Sequence, residues 1–97
     1  MPELFIFACF HARDGQEAAV EAAVREVTSI TRATEPGCLA IASYRSVRDA
    51  RLFFIHSRWV DEAAFERHAT LPHTERFIAL VQTLIDHPLD VNRTVVI

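Results

Sequence analysis

Leu4-Phe5-Ile6-Phe7-Ala8-Cys9-Phe10, running into His11, is the stretch that decides the architecture. Along a strand, successive side chains alternate between faces. Leu4, Ile6, Ala8 and Phe10 therefore share one face, and Phe5, Phe7 and Cys9 the other. A strand apolar on both faces needs cover on both sides. This first strand is read as Leu4 to Arg13. Downstream, Asp14-Gly15-Gln16-Glu17 has the spacing of a capping box, with Asp14 as cap and Glu17 reaching back. The helix it opens carries Val20, Ala23, Val24, Val27, Ile30 and Ala33 as an apolar stripe. Pro36-Gly37 stops that helix.

Cys38 to Val47 and Leu52 to Trp59 read as two further strands. Their short link, Arg48-Asp49-Ala50-Arg51, favours an antiparallel hairpin. Asp61 is placed to cap a second helix with Ala64, Phe65, His68 and Ala69 on one face. Pro72 suits the first turn of a third helix, Pro72 to Ile85, whose stripe is Phe77, Leu80, Val81 and Leu84. His87-Pro88 ends it, and Leu89 to Ile97 alternates as a last strand. The order is βαββαβ with a split second helix, the pattern of a ferredoxin-like α+β domain with an antiparallel sheet. Its helices cover one sheet face only. The second apolar face then calls for a second copy packed sheet against sheet, and a homodimer is expected.

Residues 1–97 are read as one domain. The net charge of −3 leaves no electrostatic footprint for nucleic acid, so no such partner is expected. All ten basic residues are Arg; this reflects genomic composition more than function. No apolar run approaches the roughly 20 residues of a membrane span, and no signal peptide is recognisable. Cys9 and Cys38 lie in apolar surroundings and read as free thiols. A cytoplasmic protein is expected.

Glu35-Pro36-Gly37-Cys38-Leu39, Arg58-Trp59-Val60-Asp61-Glu62-Ala63-Ala64-Phe65, His68 and Pro72-His73 together resemble the antibiotic biosynthesis monooxygenase (ABM) family in order and spacing. The resemblance implies a dimeric α+β barrel, often with the last strand crossing to the partner subunit. It also implies cofactor-free oxygenation of a quinol, phenol or anthrone-like aromatic. In that chemistry the substrate is deprotonated, its anion passes an electron to dioxygen, and radical recombination gives a peroxide that collapses to a quinone. The protein must supply an apolar pocket, one proton acceptor and exclusion of water. No cofactor and no metal are expected.

His68, on the inward face of the second helix, is the candidate catalytic proton acceptor. The alternative is a histidine that bonds a backbone carbonyl and fastens helix to sheet. Trp59, Phe65 and Phe77 are the candidate apolar walls for a small aromatic ligand. Tyr44 and His73 are candidate polar contacts, His73 with a structural alternative at the helix start. His56 is read as an interface or surface residue and His11 as a rim residue. A metal on His68 and His73 is not expected. They stand five apart across a proline, helical ligands on one face need spacings of three or four, and no third ligand lies near in sequence. The sequence departs from many family members at two points: Ser57 stands where Glu is frequent, and Ile41 where Tyr is frequent. These departures keep open an alternative, a non-catalytic dimeric small-molecule binding or stress-associated protein on the same scaffold.

Overall fold

The computed structural model describes residues 2–97. Seven elements follow in chain order: β1 (Leu4–His11), α1 (Glu17–Thr34), β2 (Cys38–Arg45), β3 (Leu52–Trp59), α2 (Glu62–Ala69), α3 (Pro72–Leu84) and β4 (Asp90–Thr94). The four strands form one sheet in the order β2-β3-β1-β4, and every pairing is antiparallel. This is the expected ferredoxin-like α+β arrangement.

β1 lies inside the sheet, paired with β3 on one side and β4 on the other. Leu4, Ile6, Ala8 and Phe10 are buried at 2–6% exposure and meet the helices. The other face carries Phe5, Phe7 and Cys9, in register with Arg58, His56 and Phe54 of β3. Tyr44 of β2 pairs with Phe54 and so lies on that same face. No helix covers it. Phe7 is 52% exposed, Tyr44 53% and Phe54 38%. His56 stacks at a tilt on Phe7, with ring centroids 4.8 Å apart.

Two expectations at α1 are corrected. Asp14 does not cap the helix. Gly15 takes a positive φ of 82° and turns the chain, so the helix starts at Glu17 after an uncapped Gln16. Half of the expected box survives, because the Gly15 N–H donates to Glu17 Oε1 at 2.9 Å. The buried stripe is Val20, Ala23, Val24, Val27, Thr28 and Thr31, without Ile30 and Ala33. Repeated steps of three residues rotate by about 60° per step around a helix, so the stripe must slip by one residue to stay on one face. That slip carries the two threonines inward.

Segment ends differ by a few residues from the sequence reading. β4 is the largest difference, covering only Asp90–Thr94. Val95, Val96 and Ile97 follow it in no regular structure, at 51%, 77% and 116% exposure. Asp61 does cap α2, its carboxylate accepting from the Ala64 N–H at 2.9 Å. Among the described residues, no helix is long and apolar enough to cross a membrane.

Candidate active site

The helical face of the sheet holds a cavity of about 290 Å³ between the four strands and α1, α2 and α3. Its floor is the inward side of the sheet, including Ile6, Ala8, Ile41, Ile55 and Ser57. Phe65 and His68 from α2 and Phe77 from α3 form its walls. Phe77 is set edge-on to Phe10, at 5.5 Å between centroids and 82° between planes. Arg93 of β4 stands at the rim, its guanidinium 5.1 Å from the centre of the Phe65 ring. Glu62 and Glu66 of α2 both hold that guanidinium and raise its pKa. Arg93 was not singled out from sequence. Its position two residues from Val91, which also lines the cavity, shares a strand face with it.

His68 reaches the cavity from the last turn of α2, and Ala64, one turn earlier on the same face, is small and buried. Its ring lies on Trp59, centroids 4.7 Å apart, and 5.5 Å from Phe65. The His68 Nδ1–H donates to Glu35 Oε2 at 2.8 Å, and the His73 Nε2–H donates to the same oxygen at 2.7 Å. An ionised carboxylate only accepts, so it fixes the proton on each of these nitrogens. Side-chain exposure is 8% for Glu35, 12% for His68 and 11% for His73. Thr74 Oγ1 is 3.3 Å from His68 Nδ1, and Thr31 Oγ1 is 3.5 Å from His73 Nε2. Burial pushes the His68 pKa below the ordinary imidazole value, and the Glu35 carboxylate offsets only part of that push. The imidazole is therefore neutral near pH 7. With its proton on Nδ1, Nε2 carries the lone pair, and the His68 ring's hydrogen bonds among the described residues are all made by Nδ1.

Of the six site residues expected from sequence, three line the cavity: His68, Phe65 and Phe77. The other three do not. Trp59, at 1% exposure, is packed behind His68, and its indole N–H donates to Ser57 Oγ at 2.9 Å. It supports the wall without forming it. His73 does not line this cavity: its Nε2 is tied to Glu35, and it borders a separate hollow with Arg76 and Phe77. Tyr44 sits across the sheet, its side chain sent to the uncovered face by the β2–β3 register.

Glu35 is the residue that sequence reasoning missed. It follows directly on the last residue of α1, and its backbone N–H still bonds Thr31 O. Though far from both histidines in sequence, it meets them in space. Glu35 brings a carboxylate to the two histidines, and the three donor atoms all lie within 4.8 Å of one another. The two histidines need no helical spacing, because they stand on different helices.

A sequence model of the antibiotic biosynthesis monooxygenase family matches residues 4–80. Among solved structures, a Pseudomonas aeruginosa protein is 27% identical with a TM-score of 0.90, covering all of this chain and 96% of its own. A Mycobacterium tuberculosis protein is 23% identical with a TM-score of 0.90, over 98% of this chain and 95% of its own. An antibiotic biosynthesis monooxygenase is 24% identical with a TM-score of 0.89, over 97% and 98% respectively. The latter two likenesses concern the fold. No curated protein matches the chain in sequence.

Proposed function

The chain belongs to the antibiotic biosynthesis monooxygenase family, and from that premise we propose that it is a cofactor-independent monooxygenase oxidising a quinol, phenol or anthrone-like aromatic with dioxygen. The observation that carries this reading is the orientation of His68. Glu35 holds its proton on Nδ1, and Nε2 remains as a proton acceptor at the wall of an apolar cavity. Trp59 and Phe65 fix the ring plane.

For an anthrone-type methylene the reaction balances without an added reductant. Nε2 takes one proton, and the resonance-stabilised anion gives one electron to dioxygen. The substrate radical and superoxide combine to a peroxide. Loss of the second hydrogen with cleavage of the O–O bond leaves a carbonyl and one water. The apolar walls favour a flat ring and exclude bulk water from the anion. Glu35 acts through His68 as a positioning residue, and the imidazolium formed in the first step gains from its charge.

The proposal extends to assembly. The uncovered sheet face presents Phe7, Phe54 and Tyr44 to solvent, and the exposed Val95-Val96-Ile97 tail continues from β4. A homodimer packed on that face buries these groups. A cytoplasmic setting fits Cys9 and Cys38, both free thiols.

Metal-stripped protein supplied with anthrone and ¹⁸O₂ tests the activity. One labelled oxygen in the carbonyl product, formed in proportion to protein, is expected. A product free of label contradicts the reading. One observation favours the second reading, a binder without turnover: Ser57 Oγ is already engaged by the Trp59 indole and Ile41 adds only an apolar wall. That reading predicts saturable binding of the aromatic with no oxygen consumed.

A further inference from the structure

Five polar atoms converge beside the cavity, where the C-terminal ends of α1 and α2 meet the first turn of α3: Glu35 Oε2, His68 Nδ1, His73 Nε2, Thr31 Oγ1 and Thr74 Oγ1. The carboxylate is almost fully buried, and its hydrogen-bond partners are two imidazoles, with no Arg within ion-pair distance among the described residues. Two imidazole nitrogens and one carboxylate oxygen form the donor set of a three-ligand zinc centre that keeps its fourth position open. We propose that Glu35, His68 and His73 form a binding site for a divalent transition ion, Zn²⁺ in the first instance, and that its occupation switches His68 off as a base.

The three donor atoms are already gathered in one place. The two nitrogens already lie 2.8 and 2.7 Å from one carboxylate oxygen. A tetrahedral ion with bonds of about 2.0–2.1 Å separates neighbouring donors by roughly 3.3 Å, so the carboxylate must retreat by about half an ångström and the two nitrogens, within 4.8 Å of each other, must take up that same separation. Rotation of the Glu35 side chain about its own bonds, and of the two imidazoles about theirs, supplies that movement more readily than a shift of either helix. Thr31 and Thr74 both line the cavity and stand beside the ligating nitrogens. Their hydroxyls are placed to hold a water in the fourth position, on the cavity side.

The consequence for His68 follows from its tautomer. A neutral imidazole has one proton. In the metal-free protein Glu35 holds it on Nδ1. An ion bound at Nδ1 leaves Nε2 as the protonated nitrogen, so the atom facing the cavity changes from acceptor to donor. Zn²⁺ is then an inhibitor of proton abstraction. This consequence rests on the proposed function, whereas ion binding itself does not.

Metal-stripped protein titrated with Co²⁺ provides a readout independent of turnover, because four-coordinate Co²⁺ absorbs strongly in the visible. One equivalent per chain, displaced by Zn²⁺, is expected. The His73→Ala and Glu35→Gln variants, with helical circular dichroism retained, each lose affinity by at least about 100-fold, more than loss of an outer partner costs. His56→Ala, on the opposite sheet face, retains it. Binding that is absent in the native chain, or equal in native and His73→Ala protein, overturns the proposal. If Co²⁺ binds as expected but no aromatic is ever oxidised, the site stands and the activity falls.

Discussion

Two histidine–carboxylate clusters sit at different places in this fold and invert each other's stoichiometry. At the cavity, two imidazoles share one carboxylate oxygen, that of Glu35. At the far end of β1, one imidazole bridges two carboxylates: His11 Nδ1 is 2.8 Å from Asp86 and Nε2 is 3.0 Å from Asp49. The first cluster is nearly buried, while the His11 side chain is 30% exposed. Burial dominates at His68 and lowers its pKa, whereas the hydrogen bond that His11 donates to Asp86 dominates at His11 and raises its pKa. The same two residue types thus yield a neutral base in one place and, in the other, an imidazole that holds its proton more tightly with both ring nitrogens on carboxylates. Surroundings decide the charge, and with it the role. The His11 cluster ties the β2–β3 turn and the end of α3 to β1. Nothing about it faces the cavity.

The contrast breaks most visibly in turnover. His68→Gln is expected to lower kcat by about 100-fold or more, in line with loss of a general base. His11→Ala should leave kcat near its native value. Equal losses in the two variants would remove the distinction. Substrate consumption by purified, folded proteins is the measurement.

A backbone change next to only one cluster comes next. A Cβ on Gly37 would stand 2.8 Å from Ala64 Cβ, at the start of the helix that carries His68. Gly37→Ala is expected to cost about 1–3 kcal/mol by overpacking, read from urea unfolding, and to lower turnover as α2 shifts. Glu35→Ala strands two buried imidazole donors, and a loss of about 1–3 kcal/mol is expected. Asp86→Ala leaves its partner exposed to water, and a smaller drop in Tm is expected.

The smallest effect is the sharpest in sign. Imidazole NMR titration should place His11 above the ordinary value of about 6.5 and His68 below it. The stability contributions then have opposite pH dependence. His11, with its folded pKa raised, contributes fully below the unfolded value, and this is lost as pH rises through the folded pKa. His68, with its folded pKa lowered, is tolerated above the unfolded value, and stability is lost as pH falls towards the folded pKa. Turnover should likewise fall on the acid side, through the lowered His68 pKa.

How far the sequence reached follows from where each signal lies. The order of strands and helices was legible because β1 alternates, Pro36-Gly37 stops α1, and Asp61 and Pro72 open α2 and α3. Which face of β1 meets the helices was not, since both are apolar and nothing local separates them. His68, Phe65 and Phe77 could be read off their helices as inward positions. Glu35 could not. It lies inside a helix-stop signal, and its partners are 33 and 38 residues away. Only the packing of α2 and α3 against the end of α1 brings them together. Tyr44 failed for the opposite reason: its strand was right, and the sheet face was undetermined until the register was known.

The central claim is that Glu35 orients His68 so that Nε2 is the base. Initial oxygen uptake with anthrone, in the presence of a chelator and with autoxidation subtracted, tests it when native, His68→Gln and Glu35→Gln proteins are run side by side. The account predicts protein-dependent uptake in the native chain, about 100-fold or greater loss in His68→Gln, and an intermediate loss in Glu35→Gln. Native uptake that survives unchanged in folded His68→Gln would contradict it.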